Sequence, residues 1–535
     1  MIMKGKGKFF LALAAAITVV ILLTSAGGAD KSGQSGAAAK DYSQHHVITC
    51  SSTFFLETGV NYMDAVAKEL VKDLNISLEF VPIPLANAAE VCRIWISSGD
   101  MPDITSYGFT LSDYVQYAEQ GLVRALPMDY ETRYPHLARA IKASEIDAPL
   151  KKMFNGKLYA GIRPIFVNEI LDKPYAEHTS LYYRKDWAQQ CGLPVKTDYT
   201  IAEVMNMAKV FMEKDPNKNG PGKTIGFAVE PGNMIMMMLR PNFKWFNSIY
   251  KDNVTGRYEY GPFQQGALRG LETLRKYYDD KIIYQDFFTI KARGEVEAML
   301  NSGLTGLMIN GAAFGNVKRI FSAFEVATKL NALDTLELAN VIGDDGKRRA
   351  TVMMNHQSMN YFSPKMSDNK FERCLAFLDW AATDEMQDMI NMGIPGKDWH
   401  KEGNQIVITR PKLPSGDFVP MGTYYPSYNL LSMIVIAWDD FTARDPSTNP
   451  KLLEKNIKMW NGRTREGDLA LTDYDLFFYS SPQRDKISTI NVGTEFTNVV
   501  MKGPNVKQNW DAFVNQFNPI VKEALDDINK NLLKK

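Results

Sequence analysis

The chain has 535 residues, 45% of them apolar and 23% charged, with 61 Lys+Arg balanced by 61 Asp+Glu. This length exceeds what one hydrophobic core fills, so about two to four domains are expected, and the composition excludes a multi-span membrane protein, a collagen-like repeat and a largely disordered chain. Zero net charge leaves no nucleic-acid footprint, and four cysteines are too few for a disulfide scaffold.

Lys4, Lys6 and Lys8 precede Phe9 to Leu23, a run apolar except for Thr18. It is shorter than the roughly 20 residues of a membrane-spanning helix and matches a signal-peptide core. Residues 1–26 are therefore read as a signal peptide and the protein as exported, the alternative being an uncleaved anchor. Residues 27–43 begin with Gly, Ala, Ser and charge, a flexible spacer that cannot build a core.

Strand-like and helix-like stretches alternate from there. His46 to Thr49 reads as a strand, Asn61 to Leu74 as a helix, Ile76 to Pro82 as a strand, residues 87–98 as a helix and Asp103 to Ser106 as a strand. That order predicts a mainly parallel sheet with helices on both faces, and ligands bind such sheets beyond the carboxyl ends of the strands. Further on, Thr200 to Lys214 reads as a helix with Thr200 and Glu203 in a capping box. Helices are also expected at Gly266 to Tyr278, Gly294 to Asn301, Phe371 to Ile390 and Asn509 to Leu533, and a strand at Gly306 to Gly311.

The sequence contains no GxSxG, HExxH, CxxC, Walker A or GxGxxG motif. Cys50, Cys92, Cys191 and Cys374 lack metal-ligand spacing, and Cys92 and Cys374 fall inside helical patterns as small buried hydrophobes. Asp439-Asp440 and Asp473 with Asp475 are acidic pairs, read as solvated loop residues. Asp215, Asn217, Asn219 and Gly220 resemble the opening of a calcium loop, but Lys223 and Gly226 stand where its later ligands belong. An Asx-type turn is the favoured reading and a structural calcium the lesser one. Aromatics make up 11% of the chain, and Tyr107, Phe109, Trp245, Phe314 and Trp438 fall where strands should meet loops. Without a catalytic motif, such rings suit stacking on sugar faces.

Ordered motifs then carry a family resemblance. Ser98-Gly99-Asp100-Met101-Pro102-Asp103-Ile104 and Tyr117-Ala118-Glu119-Gln120-Gly121-Leu122 resemble a signature of bacterial extracellular solute-binding proteins, family 1. Gly156-Lys157-Leu158-Tyr159-Ala160, Leu181 to Trp187, Gly192-Leu193-Pro194, the Asp215 loop, Glu495-Phe496-Thr497 and Asn509-Trp510 follow in the family's order. The layout is similar to that of carbohydrate-importer lipoproteins, although Ala26 follows Leu23-Thr24-Ser25 where a lipidated cysteine would stand.

The resemblance implies an α/β, two-lobed periplasmic-binding-protein fold (type II), each lobe a mostly parallel sheet flanked by helices, joined by hinge strands. Residues 44–182 plus 335–370 would form the N-terminal lobe, and residues 183–334 plus 371–535 the C-terminal lobe. It further implies a monomeric substrate-binding component of an ABC importer, with an oligosaccharide as ligand and membrane permease subunits as partners, sited at the extracellular face by a lipid anchor or secreted. The ligand-binding residues expected are Tyr107, Asp113, Arg163, Trp245, Asn310 and Trp438, with no catalytic residue and no cofactor. A peptide or other non-sugar ligand is one alternative, which an excess of charge over aromatics and amides in the cleft would favour. A secreted glycoside-active enzyme, needing two carboxylates across the cleft, is the other.

Overall fold

The computed structural model describes residues 42–52, 60–83, 87–403, 405–412, 418–435 and 441–533. The expected signal peptide, most of the spacer, Trp438 and the Asp439-Asp440 pair lie outside the described residues. In chain order the strands begin with β1 (His46–Ser52), β2 (Ile76–Phe80), β3 (Ile104–Tyr107), β4 (Gly161–Arg163), β5 (Thr179–Arg184) and β6 (Asp198–Thr200). A hairpin of β7 (Ile249–Lys251) and β8 (Tyr258–Tyr260) precedes β9 (Leu307–Gly311), β10 (Leu336–Ile342), β11 (Arg348–Thr351) and β12 (Ser358–Phe362). Next come β13 (Trp399–Glu402), β14 (Gln405–Ile408) and β15 (Gly467–Ala470).

Nine of these strands form two sheets, ordered β2-β1-β3-β12-β4 and β6-β10-β5-β9, and the other six pair in two-stranded sheets. In the first, β1 runs parallel to β2 and β3, while β12 runs antiparallel to β3 and β4; every strand but β12 points one way. In the second, β10 is parallel to β6 and β5 is antiparallel to both β10 and β9, so β5 is the reversed strand. Helices cover the sheets, and β9 and β12 are buried along their whole length, as parallel-type α/β sheets require. The chain completes four strands of the first sheet, crosses to build the second, and returns with β12.

Local signals place most helices. Thr200 caps Ile201–Lys214, with the Glu203 N–H donating to its hydroxyl and the Glu203 carboxylate accepting from the Thr200 N–H. The helix expected from Asn61 starts only at Ala65, because the Asp64 carboxylate accepts from the N–H groups of Val66 and Ala67. The single helix expected at 371–390 is two helices, Asp368–Ala381 and Asp384–Met392, because the Thr383 hydroxyl accepts from the Met386 N–H and opens a second one.

Two segments pack on a different sheet from the one expected. Leu336–Ile342 pairs with β5 and β6 in the second sheet, and Asp368–Ala381 packs on β1 of the first. The latter helix buries Phe371, Cys374 and Leu378 there, and its Arg373 guanidinium donates to the Leu74 carbonyl. Tyr182, Trp187, Phe211, Leu271, Leu307, Phe496 and Trp510 form one continuous core around the second sheet. All four cysteines are free and buried, and burial pushes the Cys92 thiol up to about 12, which fits small hydrophobes rather than nucleophiles.

Candidate functional site

The strand β9 ends at Gly311 and feeds the helix Phe314–Thr328, whose Gly315, Lys318, Arg319, Phe321, Ser322 and Glu325 border a cavity of about 1520 Å³. The opposite wall carries Val60, Tyr62, Asn391 and Met392. Tyr62 is fixed edge-on against Phe80 of β2 at 5.1 Å, which ties this wall to the first sheet. A Pro- and Gly-punctuated stretch from Phe418 to Asn429, with Arg410 before it and Phe441 to Leu452 after it, completes the lining. The cavity thus lies between elements of both sheets, beyond the carboxyl end of β9 as the strand-end rule requires.

Its chemistry is mixed. Tyr62, Phe321, Phe418, Tyr428 and Phe441 supply rings, and Ser322, Asn331, Asn391, Thr423, Asn429, Ser447, Thr448 and Asn449 supply amides and hydroxyls. Aromatics and neutral polar groups therefore outnumber the five charged residues, Lys318, Arg319, Glu325, Arg410 and Asp445. Arg319 holds both Glu297 oxygens at 2.7 Å, and Lys318 donates to Asp445 at 2.7 Å and to Ser447 at 2.5 Å. Burial raises the Asp445 pKa, but Lys318 and the hydrogen bonds from Ser447 together outweigh it and keep the carboxyl below its ordinary value. Burial pulls Arg410 down, and raises the Tyr428 phenol with help from Asp445 and against Arg163 and Arg410.

The expected residues that are described sit elsewhere. Among the described residues lining the cavity, none of Tyr107, Asp113, Arg163, Trp245 or Asn310 appears. Tyr107 ends β3 and packs on Phe109 at 4.7 Å. Asp113 completes the capping box of Leu111–Glu119 and pairs with Arg93 at 3.0 Å, which occupies both of its oxygens. Asn310 is buried, donating to Glu297 at 2.8 Å and accepting from the Gly311 N–H at 2.8 Å. Trp245 is half-buried and stacks flat on Tyr250, centroids 5.4 Å apart at 7°. Phe314 packs on Trp460 at 5.3 Å. Arg163 is the nearest to the expectation: it donates to Gln357 at 2.7 Å and to the Ser432 carbonyl at 2.6 Å, beneath the helix Tyr428–Ile434 whose first residue lines the cavity.

Asp473 and Asp215, singled out earlier, are occupied as well. Asp473 caps Tyr474–Phe477 and accepts from the Tyr258 hydroxyl at 2.8 Å. Asp215 closes an Asx-type turn, accepting from the N–H groups of Asn219 and Gly220 and from the Thr224 hydroxyl, and Asn219 donates to the Gly303 carbonyl. Sequence reasoning missed Tyr62, Phe321, Arg410 and Tyr428. The one local signal was the density of Tyr424, Tyr425 and Tyr428 among Pro420, Gly422 and Pro426, rings set where two short helices meet a turn.

Two sheets, each with one reversed strand, linked by a chain that crosses between them, make a fold that solved two-lobed solute-binding proteins share. No protein-family model matches the chain. It is 24% identical over 352 residues to the polygalacturonan/rhamnogalacturonan-binding protein YtcQ of Bacillus subtilis (strain 168), across 65% of this chain and 66% of that one. The chain spans two thirds or less of the length of the curated relatives it matches: 66%, 64% and 31%. Among solved structures, alginate-binding protein AlgQ2 aligns with a TM-score of 0.62 at 19% identity, covering 91% of this chain and 98% of that one. The S. pneumoniae ABC-transporter substrate-binding protein FusA in complex with kestose aligns with a TM-score of 0.64 at 14% identity, covering 91% and 100%.

Proposed function

We propose that the protein is the substrate-binding component of an ABC importer and captures an oligosaccharide, without turnover, in the cavity between the two sheets. The cavity itself carries this reading: about 1520 Å³, with rings and neutral hydrogen-bonding groups supplied from both sides. Flat rings meet sugar C–H faces while amides and hydroxyls satisfy ring hydroxyls, and contacts from both sides exist only when the walls close on the ligand. The names of the relatives support it, since they bind polygalacturonan or rhamnogalacturonan, alginate and kestose. In this reading the protein is exported as a monomer, sits at the outer face of the cell membrane by a lipid anchor or is secreted, and delivers its sugar to membrane permease subunits. Among the described residues no helix is long and apolar enough to cross a membrane.

Thermal-shift screening against a carbohydrate panel tests the proposal. A ligand at about 100 times its Kd stabilises the folded protein by about 2.7 kcal/mol. Stabilisation by peptides but by no saccharide overturns the reading, and so does the appearance of new reducing ends during incubation with the best ligand.

A further inference from the structure

Of the three cations that face the cavity, two are neutralised by direct partners: Arg319 by Glu297, and Lys318 by Asp445. Arg410 is different. Its Nε and Nη1 are buried and have no hydrogen-bond partner among the described residues, and its guanidinium carbon stands 6.0 Å from the centroid of the Phe418 ring. The charges that reach it from neighbouring elements are Asp445, Asp398, Tyr424 and Tyr428. Asp445 already accepts from Lys318 and Ser447. Asp398 accepts from the Tyr424 hydroxyl at 3.1 Å, the Tyr425 hydroxyl at 2.6 Å and the Ile394 N–H at 2.7 Å. Arg163, on the other side of Tyr428, is a second buried guanidinium whose hydrogen-bond partners are neutral and whose Nε is unpartnered. Burial lowers its pKa to about 9, opposed by Tyr428.

A half-buried cation with two buried, unspent donors is costly to the empty protein, and a ligand that brings an anion to them recovers that cost while a neutral ligand does not. A planar, delocalised guanidinium is matched best by a carboxylate or similar oxyanion. We infer that the cavity selects acidic oligosaccharides, with a uronate carboxylate of the ligand held by Arg410 beside Tyr428. This inference rests on the oligosaccharide-capture reading and narrows it to one chemical class.

Isothermal titration calorimetry of the mature chain with trigalacturonate and trimannuronate, their methyl esters, and neutral maltotriose, cellotriose and 1-kestose separates the two. The expected result is that a uronate trimer binds about 10–100-fold tighter than its methyl ester, the range of a charge-assisted hydrogen bond. Arg410→Gln removes most of that difference, and Arg410→Lys restores part of it. Neutral trisaccharides or methyl esters that bind as tightly as the uronates overturn the inference and leave oligosaccharide capture standing. If no saccharide of either kind binds, both fall. The acid-against-ester comparison on the unaltered chain decides the matter even if the Arg410 variants fail to fold.

Discussion

Arg463, which bridges strands of the second sheet, and Arg410, on the cavity wall, are both drawn below their ordinary pKa by burial, Arg463 to about 10. Their surroundings answer that burial in opposite ways. Arg463 donates Nε to Asn340 at 2.6 Å, Nη1 to the Glu177 carbonyl at 3.0 Å and Nη2 to Ser180 at 2.7 Å, joining β10 to β5 and the segment before it. It borders a cavity of only about 50 Å³, where Arg240, Arg348 and Arg349 each hold an ion-pair partner. Arg410 leaves two buried donors empty beside about 1520 Å³ of open space. A cation that holds strands together has its donors occupied by the fold, whereas one beside a large cavity can wait for a ligand.

That contrast can be broken most directly at Arg463. Replacing it with Met leaves three acceptors without their donor, and urea unfolding should show a loss of about 3–5 kcal/mol. A loss under about 1 kcal/mol would remove the distinction between occupied and unspent guanidiniums.

A second unspent group gives a pH test. The His356 Nδ1 has no hydrogen-bond partner among the described residues, and burial depresses the imidazole pKa to about 4. Because the folded value lies below the unfolded one of about 6.5, the unfolded chain takes up the proton first. Stability is therefore full above pH 6.5 and falls, by up to about 3 kcal/mol, as pH drops from about 6.5 towards 4. His356→Gln should flatten that part of the stability profile; an unchanged profile would mean that the imidazole is solvated.

Smaller effects sharpen the comparison among aromatic rings. Trp245 already occupies one face on Tyr250, so Trp245→Ala should lower stability by about 1–2 kcal/mol and leave sugar affinity within about twofold, since distant sites act independently. Tyr428→Ala, on the cavity wall, should do the reverse in a paired calorimetric and unfolding measurement. The smallest stability effect is expected at Arg410 itself. Arg410→Met removes a desolvated charge without orphaning a described acceptor, so unfolding free energy should stay within about 1 kcal/mol or rise.

What the sequence determined by itself was whatever depends on neighbours a few residues apart. The Thr200–Glu203 capping box, the turn at Asp215 and the strands at His46, Ile76 and Leu307 all follow from short-range hydrogen bonding and apolar periodicity. The ordered motifs led to the two-lobed fold for the same reason, being local packing signatures repeated in a fixed order. The tertiary structure alone decided the partners. Whether Leu336–Ile342 joins the second sheet depends on registers with Arg184 and Asp198, and whether Asp113 is free depends on Arg93 arriving from another helix. Tyr62, Phe321, Arg410 and Tyr428 meet around one cavity although more than 350 residues separate the first from the last. No spacing rule encodes that meeting, because side chains distant in sequence are brought together only by how the sheets and their covering helices pack.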